Sequence, residues 1–373
     1  GRLWQQTLFE ALGELGFVPC KSESSVLFCR SDKYGVFVII SFVDDLCLGG
    51  TSDELRKKVE KLLNAKFIVK CLGELSQFVG INADWGTKLG LRTILLHQES
   101  YWRRAVKKFN MENEPISKVP AAPVRLSKMS CPVTDEEKAE IKYPYISVTG
   151  TILYGALCTR PDIFFAVTQL ARFNSNPGKD HVKASKQLLR YLSGTKEEGI
   201  RYTADKVFSG KIRITAYVDS DWAGCPDTRR STMGYIIMIS NGPVSWKSKM
   251  MPMVAQSSCE AEFMALSEVC RELMWICRFY DEIGIEYEVP TIFCDSQSAI
   301  HWAEDPIQHQ RNKHIEIKYY YCRDVVAKDQ VRLFYICTTI QLADPMTKPV
   351  GKQILDRLKP PMMGHEKPTM VRM

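Results

Sequence analysis

Cysteine pairs are missing from this chain. It carries 13 cysteines, an odd number, scattered through apolar runs (Cys47, Cys270, Cys277, Cys294, Cys322, Cys337) and never in a CxxC pair. That excludes a disulfide framework and a structural zinc site of ordinary spacing. It points instead to reduced thiols used as small hydrophobes in an intracellular protein. Long hydrophobic runs are also absent. The longest apolar stretch, from Gly35 to Val43, is too short to span a bilayer, so no membrane partner is expected. No signal peptide is visible, and the chain opens at Gly1 rather than Met, which leaves room for residues upstream. A large excess of one charge is lacking too: the net charge is +7, with a pI near 8.7. That is compatible with a polyanionic partner without identifying one. With 373 residues, 45% hydrophobic and 25% charged, the chain has room for two or three ordinary globular domains.

Three regions can be read along the chain. In the first, to about residue 115, helical spacing runs from Trp4 to Leu15. Apolar runs at 25–29 and 35–43 flank the polar turn 30–34 and signal a hairpin. After Asp44 and Asp45 come the short run 46–48, a charged helix from Ser52 to about Phe67, and further strand-like segments. The middle region, 116–208, opens with the Pro-rich connector 119–124 and is mainly helical, with apolar spacing over 146–158, 162–173 and 181–192. The third, 209–350, predicts strands at 211–219, 233–239 and 243–249 and a helix over 257–283. A strand at 291–294, a helix from Ser296, another at 313–327, a strand at 330–337 and a last helix from Gln341 follow. This alternation predicts an α/β class, a mixed sheet with helices on its faces. Residues 351–373 are set apart as a C-terminal tail, loose from Lys359 onward.

Four acids in the third region stand where a carboxylate is hard to explain as structure: Asp219 at a strand end, Glu262 in the first turn of a helix, Asp295 closing an apolar run, and Asp344 opening the last helix. Carboxylates gathered together repel unless divalent cations neutralise them. Two such cations stabilise both the attacking water and the leaving oxygen of a phosphodiester. Singly, each acid has a plain explanation, a favourable helix dipole or a turn; the ordered set does not. Glu260 competes with Glu262, but its spacing from Ser257 is that of a capping box. Asp221 would share a strand face with Asp219 and is read as shaping the turn that follows.

The stretches 217–232, 242–247, 257–266, 294–300, Lys313-His-Ile315 and Gln341-Leu-Ala-Asp344 resemble, in order, the ribonuclease H domain of copia-type LTR retrotransposon polyproteins. The resemblance implies that Asp219, Glu262, Asp295 and Asp344 bind two Mg²⁺ or Mn²⁺ ions and that the substrate is the RNA strand of an RNA–DNA hybrid. Such hybrids are recognised by shape, phosphates and 2′-hydroxyls. Two departures are noted. Pro345 follows Asp344 directly, which the first turn of a helix tolerates, and no residue takes the place of the histidine that some ribonucleases H carry before the last acid. His314 lies earlier and is read as a packed or surface histidine.

Phe42-Val-Asp-Asp45 resembles the Asp-Asp hairpin of a reverse transcriptase palm, with Phe42 in place of the usual tyrosine. Adjacent acids flanked by apolar strands are costly unless something binds them, and polymerases use such a pair to hold metal ions. Residues 72–80 resemble the primer-grip region; 98–111, 143–162 (with Thr159-Arg-Pro-Asp162) and 188–195 continue the family. The resemblance divides the chain into a truncated palm (1–115), a thumb or tether (116–208), a ribonuclease H-like domain (209–350) and the tail. The third polymerase carboxylate is missing: before Asp44 the only aspartate is Asp32, in a turn. The expectation is a fragment, a degenerate copy or a product of a larger polyprotein, without polymerisation. Arg103, Arg104, Lys107 and Lys108 on one helix and Lys183, Lys186 and Arg190 on another are candidate phosphate contacts, a solvated helix surface being the plain alternative. Arg229 and Arg230 join them near Asp219. Expected partners are an RNA–DNA hybrid or other nucleic acid and other polyprotein products, in a cytoplasmic virus-like particle or the nucleus. A catalytically silent nucleic-acid-binding relic is the alternative. A transposase or integrase is disfavoured, because those place the glutamate last.

Overall fold

The computed structural model describes residues 2–205, 210–304 and 320–368. Lys313-His-Ile315, with His314, and the first part of the helix expected over 313–327 lie outside the described residues; the helix is seen over Tyr321–Ala327. The chain is a mixed α/β protein, as expected.

Two compact units emerge. One comprises residues 1–83, 208–212 and 272–288; the other comprises 84–207, 213–271 and 289–373. In the first unit an antiparallel sheet runs Val18–Pro19, Val26–Ser31, Gly35–Phe42, Asp45–Gly50 in spatial order. The helices Arg2–Gly13 and Asp53–Lys66 cover it, burying Leu8, Leu12, Leu27, Phe37, Ile39, Leu55 and Val59. Alternation of apolar and polar residues in the strands, and the Leu55, Val59, Leu63 spacing in the second helix, account for that packing. Ser52 caps the second helix by accepting from the Leu55 N–H at 3.2 Å.

In the second unit a five-stranded sheet is ordered Gly242–Met250, Thr232–Ile239, Ile214–Asp221, Thr291–Cys294, Arg332–Tyr335. The first three strands are antiparallel, and the last two run parallel to Ile214–Asp221. The central pair is buried on both faces, which suits its Val-, Ile- and Tyr-rich composition. The middle region does not keep a core of its own. Trp102, Ile152, Val167, Leu188 and Leu192 pack into one cluster with Tyr217, Ile236, Phe293 and Met346 of the sheet and its neighbours.

Two expectations near the C-terminus are corrected. Asp344 does not open a long helix: it starts a 3₁₀ turn, Asp344–Met346, and the last α-helix is Lys352–Met362. Nor is the segment from Lys359 loose up to Met363: Leu355, Leu358, Met362 and Met363 are buried. Proline disfavours a helix interior, yet Pro360 and Pro361 stay in the helix because its apolar face docks into the core, and the Met363 N–H still reaches the Lys359 carbonyl at 2.9 Å.

Candidate metal centre

Parallel pairing brings the acids together. Val218 sits opposite Cys294 in the register, so Asp219 and Asp295, one step further along each strand, emerge side by side at the carboxyl ends of adjacent strands. Crevices at such strand ends are where open α/β sheets bind ligands. The 341–347 segment closes the site. Gln341, fully buried, donates from Nε2 to the carbonyls of Val218 at 2.9 Å and Phe293 at 3.4 Å, strapping both strands just before their acids. On the other side Asp219 pairs with Gly234. A Cβ at Gly234 would stand 2.5 Å from Met346 Cβ and 2.8 Å from Thr347 Cγ2, so glycine is what lets the turn carrying Asp344 seat against the strand.

All four acids converge. One oxygen each of Asp219, Asp295 and Asp344 lies within 4.8 Å of the others, and Asp295 also groups with Glu262 and the Cys294 thiol. Asp295 is thus the shared corner of two ligand sets. Asp219, Glu262 and Asp344 are buried, and Asp295 is half-buried. The Thr347 hydroxyl donates to Asp219 Oδ2. Ser220 donates to Glu262 Oε1 from its N–H at 2.9 Å and its hydroxyl at 2.7 Å. Thr338 donates to Asp295 Oδ2 at 2.6 Å. Lys348 Nζ lies 2.9 Å from Asp344 Oδ1 and 3.8 Å from Asp219 Oδ2.

Protonation follows from this crowding. Burial, with Asp344 and Asp295 adding to it, raises Asp219 to about 7 against the pull of Lys348 and Thr347. Burial and Asp219 push Glu262 well above the carboxylate range. Asp344 is raised by burial as well. Cys294 is driven far up by burial and by Glu262, which keeps the thiol protonated in the metal-free protein. The donors are mostly carboxylate oxygens short of positive charge, which fits hard divalent cations such as Mg²⁺ or Mn²⁺.

The competing acids have other work. Glu260 caps the Ser258–Ile283 helix: its N–H donates to Ser257 Oγ at 3.1 Å, and its carboxylate accepts from the Gln256 N–H at 2.7 Å. The strand runs beyond Asp219 to Asp221, which forms a two-pronged pair with Arg125 at 2.5 and 3.1 Å. Pro345 sits in the first turn of its 3₁₀ segment and leaves Asp344 in place. Gln341, Thr347, Ser220 and Arg125 were not singled out as functional residues from the sequence. Gln341 and Ser220 carried a signal, each as part of a family-like motif.

Asp44 and Asp45 differ. They sit at the tip of the hairpin, with Phe42 opposite Asp45 and Val43 at a positive φ of 53°. Both are exposed. The expectation that buried strands make the pair costly is therefore corrected: water solvates both carboxylates. Among the described residues they belong to no group of three or more metal-ligand side chains.

The basic candidates lie on two helices that pack together, Glu99–Lys108 and Lys179–Gly194. Arg103 is held by Glu99 and, at 3.3 Å, by Glu197. Arg104, Lys107, Lys108, Lys183 and Lys186 are exposed, whereas Arg190 is half-buried with Nε unpaired. Arg229 is exposed at a φ of 53°, and Arg230 is half-buried. Thr159-Arg-Pro-Asp162 is structural. Arg160 and Asp162, both fully buried, form a bidentate pair at 2.8 Å. The same guanidinium binds the Thr195 carbonyl at 2.7 Å, and the Tyr191 hydroxyl donates to Asp162 at 2.8 Å. Burial alone would raise Asp162, but Arg160 and Lys359 outweigh it and hold it below the carboxylate range.

Fold and site together define a mixed α/β protein that gathers carboxylates at strand ends. A family model described as reverse transcriptase (RNA-dependent DNA polymerase) matches residues 1–123. The retrovirus-related Pol polyprotein from transposon TNT 1-94 of Nicotiana tabacum is 35% identical over 361 residues, covering 96% of this chain and 27% of the relative. The corresponding polyprotein from transposon RE1 of Arabidopsis thaliana is 34% identical over 354 residues, covering 94% and 23%. The solved foamy viral protease–reverse transcriptase in complex with double-stranded DNA aligns at 9% identity and a TM-score of 0.42, covering 90% of this chain and 49% of that one. The chain belongs to the copia-type retrotransposon Pol family, and it spans about a quarter of the length of those two polyproteins. No helix among the described residues is long and apolar enough to cross a membrane.

Proposed function

We propose that this chain is a retrotransposon reverse transcriptase/ribonuclease H segment whose working chemistry is two-metal hydrolysis of the RNA strand of RNA–DNA hybrids. The observation that carries it is the convergence of Asp219, Glu262, Asp295 and Asp344 on two oxygen-rich ligand sets sharing Asp295. When bound, two divalent cations would stabilise the attacking water and the leaving oxygen. The chain's own part is positioning. Gln341 and the parallel register set the spacing of Asp219 and Asp295, while Thr347, Ser220 and Thr338 orient individual carboxylates. The pair Asp44–Asp45 has no third carboxylate grouped with it among the described residues, so polymerisation is not part of the activity proposed here. Residues 1–115 are then a palm remnant, 116–208 a thumb or tether, and 209–350 the nuclease segment, with the basic side chains of the Glu99–Lys108 and Lys179–Gly194 helices contacting phosphates. The cytoplasmic virus-like particle or the nucleus is where such a protein meets its substrate.

The test is hydrolysis of a labelled RNA–DNA hybrid with Mg²⁺ or Mn²⁺, single-stranded RNA as control, comparing wild type with Asp295→Asn. Hybrid-specific cutting lost in the variant supports the reading. Folded wild-type protein that binds the hybrid without cutting it would leave a nucleic-acid-binding relic instead.

A further inference from the structure

Lys348 brings to the centre a charge of the wrong sign for a metal ligand. It stands on the turn that carries Asp344, and its ammonium reaches two of the four acids, at 2.9 Å from Asp344 Oδ1 and 3.8 Å from Asp219 Oδ2. Asp219 Oδ2 also takes the Thr347 hydroxyl, so one oxygen is held from two sides. Among the described residues no other Lys or Arg forms an ion pair with any of the four acids. The exposed pairs elsewhere, such as Lys33–Glu54, join mobile side chains in water and contribute little. Here the carboxylates are buried and the lysine is one-third exposed, so it can leave towards solvent while they cannot.

We infer that Lys348 is an internal counter-cation, which occupies the Asp219–Asp344 position in the metal-free protein and must withdraw when a divalent ion binds there. This deepens the two-metal reading and rests on it. Two positive groups a few ångströms apart repel strongly in a partly buried site, so lysine and ion exclude one another. The same exchange places a released ammonium on a flexible four-carbon stem at the mouth of the centre, where a phosphate would sit. Lys348 is therefore a positioning residue with two states rather than a metal ligand.

The experiment needs no turnover. Mn²⁺ binding is measured calorimetrically for the wild-type chain, Lys348→Met and Lys348→Arg, alongside melting in chelator. Removing the competitor should tighten Mn²⁺ binding in Lys348→Met by about tenfold. It should also lower the melting temperature in chelator and enlarge the Mn²⁺-induced rise. Lys348→Arg, which keeps the charge, should resemble wild type in chelator. A second measurement uses unmutated protein: the Lys348 side-chain NMR signal of ¹³C-lysine-labelled chain, assigned by its loss in Lys348→Arg, should move to the free-lysine position on saturating Mg²⁺. Equal or weaker Mn²⁺ binding in Lys348→Met, or a signal that stays put at saturation, overturns the inference while the metal centre stands. Absence of Mn²⁺ binding in all three proteins overturns both.

Discussion

Two aspartate sites in this chain use the same chemistry to opposite ends. At the hairpin tip Asp44 and Asp45 face water, with no further carboxylate grouped with them among the described residues. At the strand ends Asp219, Glu262 and Asp344 are withdrawn from water and crowded against each other and Asp295. Exposure makes the first pair inexpensive to keep and weak as a ligand set. Burial makes the second unstable alone and selective for positive charge. An acid is informative about function when its surroundings leave it unsatisfied.

Ways of breaking that contrast can be ranked. The largest effect should come from Asp295→Asn, which removes the corner shared by both ligand sets. Hybrid cleavage should fall more than the roughly 10–100-fold typical of losing an outer hydrogen-bond partner, read as initial rate at saturating Mg²⁺. Next, Arg160→Met strands Asp162 in the core. We expect about 3–5 kcal/mol of lost stability in urea unfolding, far beyond what any exposed ion pair here would show. Thr347→Val withdraws the hydroxyl that orients Asp219 and should cost about 10–100-fold in cleavage or Mn²⁺ affinity with little change in melting temperature.

Acidity sharpens the contrast further. Folded Asp219 keeps its proton up to about 7, against an ordinary value of 3.8. Across that interval the folded state binds more protons than the unfolded one. Its contribution to stability is therefore full below the ordinary value and is lost as pH rises through about 7. In chelator the melting temperature should fall between pH 5 and 8, and Mn²⁺ should flatten that fall. Exposed Asp44 and Asp45 provide the smallest effect. Asp44→Asn with Asp45→Asn should leave hybrid cleavage unchanged and stability within about 0.5 kcal/mol, as circular dichroism melts and the cleavage assay would show.

Much of the architecture was legible because it rests on local periodicity. The strand at 291–294, the helix carrying Glu262 and the hairpin before Asp44 all fall where alternating or 3.6-residue spacing put them. Glu260 as cap and Glu262 as inward-facing acid were readable one from the other. The C-terminal end was misread in two ways: the helix expected from Asp344 is only a 3₁₀ turn with Pro345 inside it, and the segment expected to be loose from Lys359 stays helical through Pro360 and Pro361 because its apolar face docks against a distant core. Asp221 was read as shaping the turn that follows; that Arg125, 96 positions away, holds it had no local signal.

By itself the sequence determined the family, most of the order of the elements and four candidate acids, because these are written in residue types and short spacings. Only the tertiary structure decided which acids share a centre. It also decided that Lys348 stands among them, that Gly234 leaves room for the turn bearing Asp344, and that the middle region shares its core with the sheet. Those facts depend on parallel register and burial, which arise between residues far apart in the chain and leave no local trace.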